Sequence, residues 1–179
     1  MSKHQRVKPT FLLLSITAFV FLSCTNFKKQ NSIPTFTIEI PDSLSNGITD
    51  GRLILMLSNN PAREPRFEIS DGPKTQQAFG MNLENWEQGD KITFSKDAFG
   101  YPISHPGDFP PGEYYLQVLL HKYETFNLST GKTVKLPMDR GEGQQWNLAP
   151  GNLYSTPQKI NFGKSGSVHV VLDHIIPPI

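Results

Sequence analysis

The residues best suited to chemistry gather in one stretch, residues 137–157, PMDRGEGQQWNLAPGNLYSTP. Asp139 and Glu142 flank Gly141. Two carboxylates in a glycine-rich loop could do acid–base work or hold a cation, and they could equally satisfy backbone N–H groups of the turns they occupy. Trp146 is followed by Asn147, and Asn152 stands two positions before Tyr154. An aromatic ring beside an amide suits a stacking surface for a sugar or a peptide. It also suits a ring packed on a core, with the amide capping loop backbone. The stretch has no period of two and none of 3.6, and it runs to 21 residues with three Gly and three Pro. Loops of that length are uncommon inside a compact domain. Its aromatics provide anchors that disordered segments lack. The expectation is an ordered loop, with Trp146 and Tyr154 packed on the body beneath and Asp139 and Glu142 tied to loop backbone. Pro150-Gly151 fits the central pair of a type II turn, with positive φ at Gly151.

Other chemical signals fail on context. Gly131-Lys132-Thr133 ends like a phosphate-binding loop, but Phe126 stands where the first glycine belongs and a strand follows where a helix is needed. Residues 163–167, GKSGS, approach the G-x-S-x-G elbow, but the last glycine is displaced by one and a hairpin turn is the simpler reading. His169 and His174 lie on one expected strand at an odd spacing, which puts them on opposite faces and prevents a shared metal. No cofactor or metal site is expected.

The elements that must position the loop read as strands. Residues 35–40 (TFTIEI) alternate cleanly, with Phe36, Ile38 and Ile40 on one face. Residues 51–58 (GRLILMLS) are apolar on both faces, as in a central strand. Residues 66–69 are read as a short edge strand, and residues 77–83 and 91–94 as further short strands. In residues 97–102 (DAFGYP), Phe99 or Tyr101 is expected to be buried. Residues 113–123 (EYYLQVLLHKY) form the strongest strand, with Tyr114, Leu116, Val118 and Leu120 on one face. Its Gly112-Glu113-Tyr114 opening is similar to the corner of immunoglobulin-like sandwiches, where a Tyr hydroxyl ties a late strand to the loop before it. Residues 133–136 return as its hairpin partner. Residues 158–162 and 167–176 close the chain as its last two strands. Asn46-Gly47 marks a turn. Fifteen Pro, 14 Gly and frequent turn signals give an all-β, immunoglobulin-like β-sandwich of seven to nine strands. The long ordered loop precedes the last two strands.

The N-terminus bears on location. Lys3, Arg6 and Lys8 precede an uncharged apolar run of 12 residues, residues 11–22, and then Ser23 and Cys24. This is the layout of a signal peptide, and the run is short for a membrane span. A small residue before the chain's single Cys resembles a bacterial lipoprotein signal. In that family the Cys is acylated and becomes the first residue. The expected organisation is a signal peptide over 1–23, a lipidated Cys24 and tether over 24–34, and one sandwich domain over 35–179. Removing 1–23 takes away three of 17 basic residues and leaves 14 against 16 acidic ones, a formal charge of −2. That balance gives no basic face for nucleic acid. Several acyl chains, at about 0.8 kcal/mol per buried methylene, would hold the protein on a membrane. The residues after Cys24 lack the acidic run of a surface-export signal, so the expected location is the bacterial cell envelope, at the outer membrane facing the periplasm.

Several stretches together resemble the N-terminal β-sandwich region of a family of bacterial esterase-like α/β-hydrolase proteins. They are Asp50-Gly51-Arg52-Leu53, Glu64-Pro65-Arg66-Phe67, Phe99-Gly100-Tyr101-Pro102, residues 111–115 (PGEYY), residues 139–144 (DRGEGQ), Trp146-Asn147, residues 150–155 (PGNLYS) and residues 176–179 (IPPI). Gln145 stands where relatives often have His. In that family the chain continues into the hydrolase domain, so the resemblance carries over no catalytic residue. It implies an accessory module whose partner, a separately encoded α/β-hydrolase, supplies the chemistry. The expected function is a non-catalytic envelope lipoprotein that docks such a partner, or holds a ligand or glycan on the surface of Asp139, Glu142, Trp146, Asn147, Asn152 and Tyr154. The alternatives are a hydrolase of envelope esters or glycans working through Asp139 and Glu142, and a truncated remnant of an esterase-like protein.

Overall fold

The computed structural model describes residues 32–45 and 49–179. The expected signal peptide, Cys24, most of the expected tether and the expected Asn46-Gly47 turn lie outside the described residues. The chain is an all-β sandwich of two sheets. In order, the strands are β1 (Thr35–Glu39), β2 (Thr49–Ser58), β3 (Gln77–Trp86), β4 (Ile92–Thr93), β5 (Phe99–Tyr101), β6 (Gly112–Asn127), β7 (Thr133–Leu136), β8 (Leu153–Tyr154), β9 (Gln158–Phe162), β10 (Ser167–Val171) and β11 (His174–Ile175).

The small sheet has the order β10-β1-β4, with β1 parallel to β10 and antiparallel to β4. The large sheet runs β11-β8-β6-β2-β3-β5. Its spine is the 16-residue β6, which pairs along its length with β9, then β8, then β7. On its other side β6 pairs with β2 from Tyr115 to Tyr123. The alternation of β1, β2 and β6 explains the main core. Phe36, Ile38, Leu53, Leu55, Leu57, Leu116, Val118 and Leu120 all point between the sheets and are buried. The opposite parity of β2 and β6 builds a second core on the outer face of the large sheet. There Met56 and Leu119 meet Ile176, with Trp146, Tyr154 and Ile69 packed over them. The structure therefore has a third layer, and residues 137–157 supply most of it.

Several expectations need correction. The strands number eleven among the described residues, because some pairings are only two residues long. Residues 66–69 are not an edge strand: Pro65–Phe67 is a 3₁₀ turn that lays Arg66 on the outer face of β6. The long loop contains β8, and three strands follow it rather than two. The turn at 163–166 does not close a hairpin, since β9 pairs with β6 and β10 with β1. It carries the chain from one sheet to the other. Residues 167–176 are not one strand either. The chain leaves β1 after Leu172, whose N–H donates to the Glu39 carbonyl, and β11 then joins β8 in the large sheet. Finally, Phe99 and Tyr101 are both exposed, 63% and 50%. Their register with Gly80 and Ala78 puts them on the outer face, and the inward position of β5 falls to Gly100, opposite Phe79.

The expected tyrosine tie is present. The Tyr114 hydroxyl donates to the Pro110 carbonyl at 3.2 Å, holding the start of β6 to the loop before it. At Gly100, a Cβ would stand 2.3 Å from the Phe79 ring and 2.5 Å from the Ile103 carbonyl oxygen. The backbone contact cannot rotate away, so Gly100→Ala should overpack the edge of the sheet at a cost of about 1–3 kcal/mol. Urea denaturation measures this, and an unchanged midpoint would contradict the packing described.

Candidate functional site

Residues 137–157 are ordered by three kinds of anchor. The first is local. The Asp139 Oδ1 accepts the Gly141 N–H at 2.9 Å and the Gly143 N–H at 3.3 Å, and the Gly141 amide holds this carboxyl below the usual range. The Glu142 Oε2 accepts the Arg140 N–H at 2.8 Å, and Glu142 is buried. Residues 149–152 close a β-turn in which the Asn152 N–H donates to the Ala149 carbonyl at 3.2 Å, with φ of 88° at Gly151. Pro150 and Gly151 thus hold the positions that a type II turn gives them.

The second anchor is Asn152, buried to 2% exposure. Its Oδ1 accepts the Lys122 N–H at 3.0 Å and its Nδ2 donates to the Trp146 carbonyl at 2.7 Å. Its own carbonyl accepts the Ile176 N–H at 2.9 Å. One amide side chain therefore joins the loop to β6, and its backbone joins it to β11. Three residues on, Ser155 continues this as an extra rung. It exchanges hydrogen bonds with the Val118 backbone, its N–H donating at 2.9 Å and its hydroxyl accepting at 3.0 Å.

The third anchor is Arg66, whose role the sequence reading missed. Its guanidinium lies over the Tyr154 ring at 4.1 Å from the centroid and over the Phe67 ring at 4.3 Å. Nε donates to Glu64 Oε2 at 2.8 Å and Nη1 to the Asn147 carbonyl at 3.1 Å. Asn147 Nδ2 returns a bond to the Arg66 carbonyl at 3.1 Å. Beneath, the fully buried Gln117 accepts the Arg66 N–H at 3.0 Å and donates to both Glu64 Oε2 and the Ser155 carbonyl at 2.9 Å. Beyond Tyr154, the His174 ring stacks at 5.0 Å. Burial alone would raise the Glu64 pKa. The hydrogen bonds from Gln117 and Arg66, and the positive charge of Arg66 and His174, outweigh it and hold Glu64 below the usual carboxylate value.

The six sequence-predicted surface residues thus divide. Trp146, Asn147 and Tyr154 face the Arg66 stack and the outer core, half-buried. Asn152 lines a separate cleft of about 600 Å³, whereas Asp139 and Glu142 do not line it and stay tied to the backbone of their own turn. The walls of that cleft are the end of β6 (His121 to Glu124), Met138, Arg140, the 149–152 turn and Ile179. An Arg140–Glu124 ion pair stands at its edge. His121 is half-buried, and burial pushes its pKa down, against a smaller upward pull from the negative charge of Glu142. A neutral imidazole here can donate one hydrogen bond and accept one.

The histidines of the last strands do not complete a triad in the arrangement seen. Thr156 Oγ1 and His174 Nε2 are 2.9 Å apart, but Asp173 Oδ1 approaches the same nitrogen, at 3.5 Å, and all three residues are exposed. A hydrolytic triad needs the carboxylate on the other ring nitrogen. His169 pairs instead with Glu39 on the small sheet, at 3.0 Å, so the two histidines are parted by sheet rather than by strand face. No group of three metal-ligating side chains converges among the described residues. No family model, curated protein or solved structure matches this chain.

The lowered Glu64 pKa sets a pH dependence. A carboxylate with a depressed folded-state pKa contributes stability that is present above its unfolded value, near 4.5, and is lost as pH falls through the folded value. Glu64→Gln should therefore lower stability at neutral pH and make the acid limb shallower than in the wild type. Denaturation midpoints measured from pH 7 down to pH 3 check this, and parallel pH profiles would contradict the assignment.

Proposed function

We propose that this chain is a non-catalytic, lipid-anchored binding module of the bacterial cell envelope. The anchor is Cys24, the membrane the outer one, and the domain faces the periplasm. Its role is to dock a separately encoded α/β-hydrolase through the surface that residues 137–157 build; a ligand or glycan held at the same surface is the second form of this reading. The observation that carries it is the fate of the loop's polar groups. Asp139 and Glu142 are engaged with backbone N–H groups, the Asn152 amide is engaged with backbone through both its oxygen and its nitrogen, and the Asn147 Nδ2 donates to the Arg66 carbonyl. The loop's polar side chains hold its shape, which is what a preorganised recognition surface requires. Beside the cleft, Leu136, Met138 and Ile179 are exposed at 52%, 44% and 82%. Clustered exposed apolar side chains beside charged ones fit a protein interface.

One observation favours the alternative, a hydrolase of envelope esters or glycans. Glu142 lies close enough to His121 to pull its pKa upward, and His121 lines the cleft. Membrane-extracted protein tests both parts of the proposal. Its intact mass should lack residues 1–23 and carry acyl groups on Cys24. The same sample should turn over neither generic esters nor glycosides. An unmodified thiol would remove the anchor, and turnover that disappears in Glu142→Gln would replace the binding reading with the hydrolytic one.

A further inference from the structure

The outer face of the large sheet is only partly covered. The layer over Met56 and Leu119 stops short of the edge strand β5, where Phe99 and Tyr101 stand exposed. Register places these rings opposite Gly80 and Ala78 of β3, on one face and two residues apart, roughly 6.6 Å along the strand. Between them and the Ile54 and Met56 positions of β2 lie only those two small residues. Arg52 of β2 reaches across this strip. Its Nε and Nη2 both lie 2.7 Å from where a Cβ of Gly80 would stand, and its Nη1 donates to Asn82 Oδ1 at 2.8 Å. The stretches 50–53 and 99–102, far apart in sequence, thus meet on one surface.

These groups have no further partners among the described residues. The Arg52 guanidinium makes no other hydrogen bond and has no carboxylate within ion-pair distance. Neither the Phe99 nor the Tyr101 ring stacks on another ring or on a cation, and the Tyr101 hydroxyl has no hydrogen bond.

The chemistry of the surface narrows its occupant. A strand from another protein cannot extend the sheet here, because the outward N–H of β5, that of Gly100, already donates to the Ser104 carbonyl at 2.8 Å. The apolar area is two rings and a strip of small residues, and Asp97, Ser104 and His105 nearby in the chain are exposed and polar. A stable protein interface takes about 800 Å² from each partner, with an apolar centre. Membrane binding scales with buried apolar area, and two partly exposed rings supply little of it. A pyranose ring meets neither obstacle. Its C–H-rich face stacks on an aromatic ring while its hydroxyls stay with amides and water. Successive sugars of an extended chain can cover Tyr101 and Phe99 in turn. A carboxylate on such a sugar matches the forked donors of an unpaired guanidinium.

We infer that this face binds a glycan containing uronic acid, with sugar rings on Phe99 and Tyr101 and one carboxylate at the Arg52 guanidinium. The site lies apart from the surface built by residues 137–157, and its test does not depend on that surface.

Calorimetric titration of the detergent-solubilised protein tests the proposal, with pentamers of mannuronate and of galacturonate and with the neutral mannose and galactose pentamers of the same linkages. At least one uronate pentamer should bind saturably at one molecule per chain, and more tightly than its neutral counterpart. Phe99→Ala and Tyr101→Ala should each weaken that binding about tenfold, the loss expected for a stacked ring, with unchanged thermal melts because both side chains are exposed. Arg52→Gln should erase the preference for the uronate over the neutral pentamer. Absence of saturable binding to either uronate overturns the proposal, and so does binding that the folded Phe99→Ala and Tyr101→Ala variants retain. Equal binding of uronate and neutral pentamers overturns the role of Arg52. Self-association that Phe99→Ala abolishes would assign the face to a second copy instead. Cosedimentation of a Cys24→Ser variant with phosphatidylglycerol vesicles, lost on adding Phe99→Ala, would assign it to the membrane.

Discussion

The outer layer of this protein depends on how one guanidinium is held. Arg66 is a buried cation 8% exposed, between two aromatic rings and above a fully buried glutamine. Removing a charge from water costs several kcal/mol. Its compensation comes from charge-assisted hydrogen bonds, each about 1.5–3 kcal/mol, and from desolvated cation–π contacts of up to about 2 kcal/mol each. These terms are of similar size, so the net stabilisation is modest. What the arrangement supplies is specificity. Guanidinium geometry, ring faces and the Glu64–Gln117 pair agree in only one position of the 3₁₀ turn relative to β6 and the loop. A lysine could satisfy neither the two faces nor the forked donors.

That constraint explains the rest of the layering. β6 is long enough to serve three partners in succession, and its two faces do separate work. The inward face builds the sandwich core with β1, β2 and β9. The outward face offers Gln117, Leu119 and His121 in turn. Gln117 receives the Arg66 stack, Leu119 receives Trp146 and Ile176, and His121 lines the cleft. One strand thus sets the order in which the loop is fastened, buried and left open. The cleft lies where the fastening ends.

The sandwich was largely legible because strands announce themselves locally. Phe36, Ile38 and Ile40 alternate, β2 reads apolar on both faces, and β9 coincides with the expected strand. The turn at Pro150-Gly151 was legible for the same reason, since φ at Gly151 is a local property. The errors share a different cause. Phe99 and Tyr101 look like core residues by type, but register with β3 decides their face, and the register gives the inward place to Gly100. Residues 167–176 keep their alternation while changing sheets, so periodicity alone does not reveal the crossing. The Arg66 stack was invisible because its partners lie 51 and 81 residues away, at Gln117 and Asn147.

Amide hydrogen exchange, compared between wild type and Arg66→Met, tests the central role of the Arg66 stack most directly. Methionine keeps an apolar side chain of similar length but removes the charge and the forked donors. Because segments open in separate cooperative units, amides in residues 145–156 should exchange at least about tenfold faster, while those of β2 and the middle of β6 keep their protection. Unchanged exchange across residues 145–156 would contradict the claim that Arg66 holds the outer layer in place.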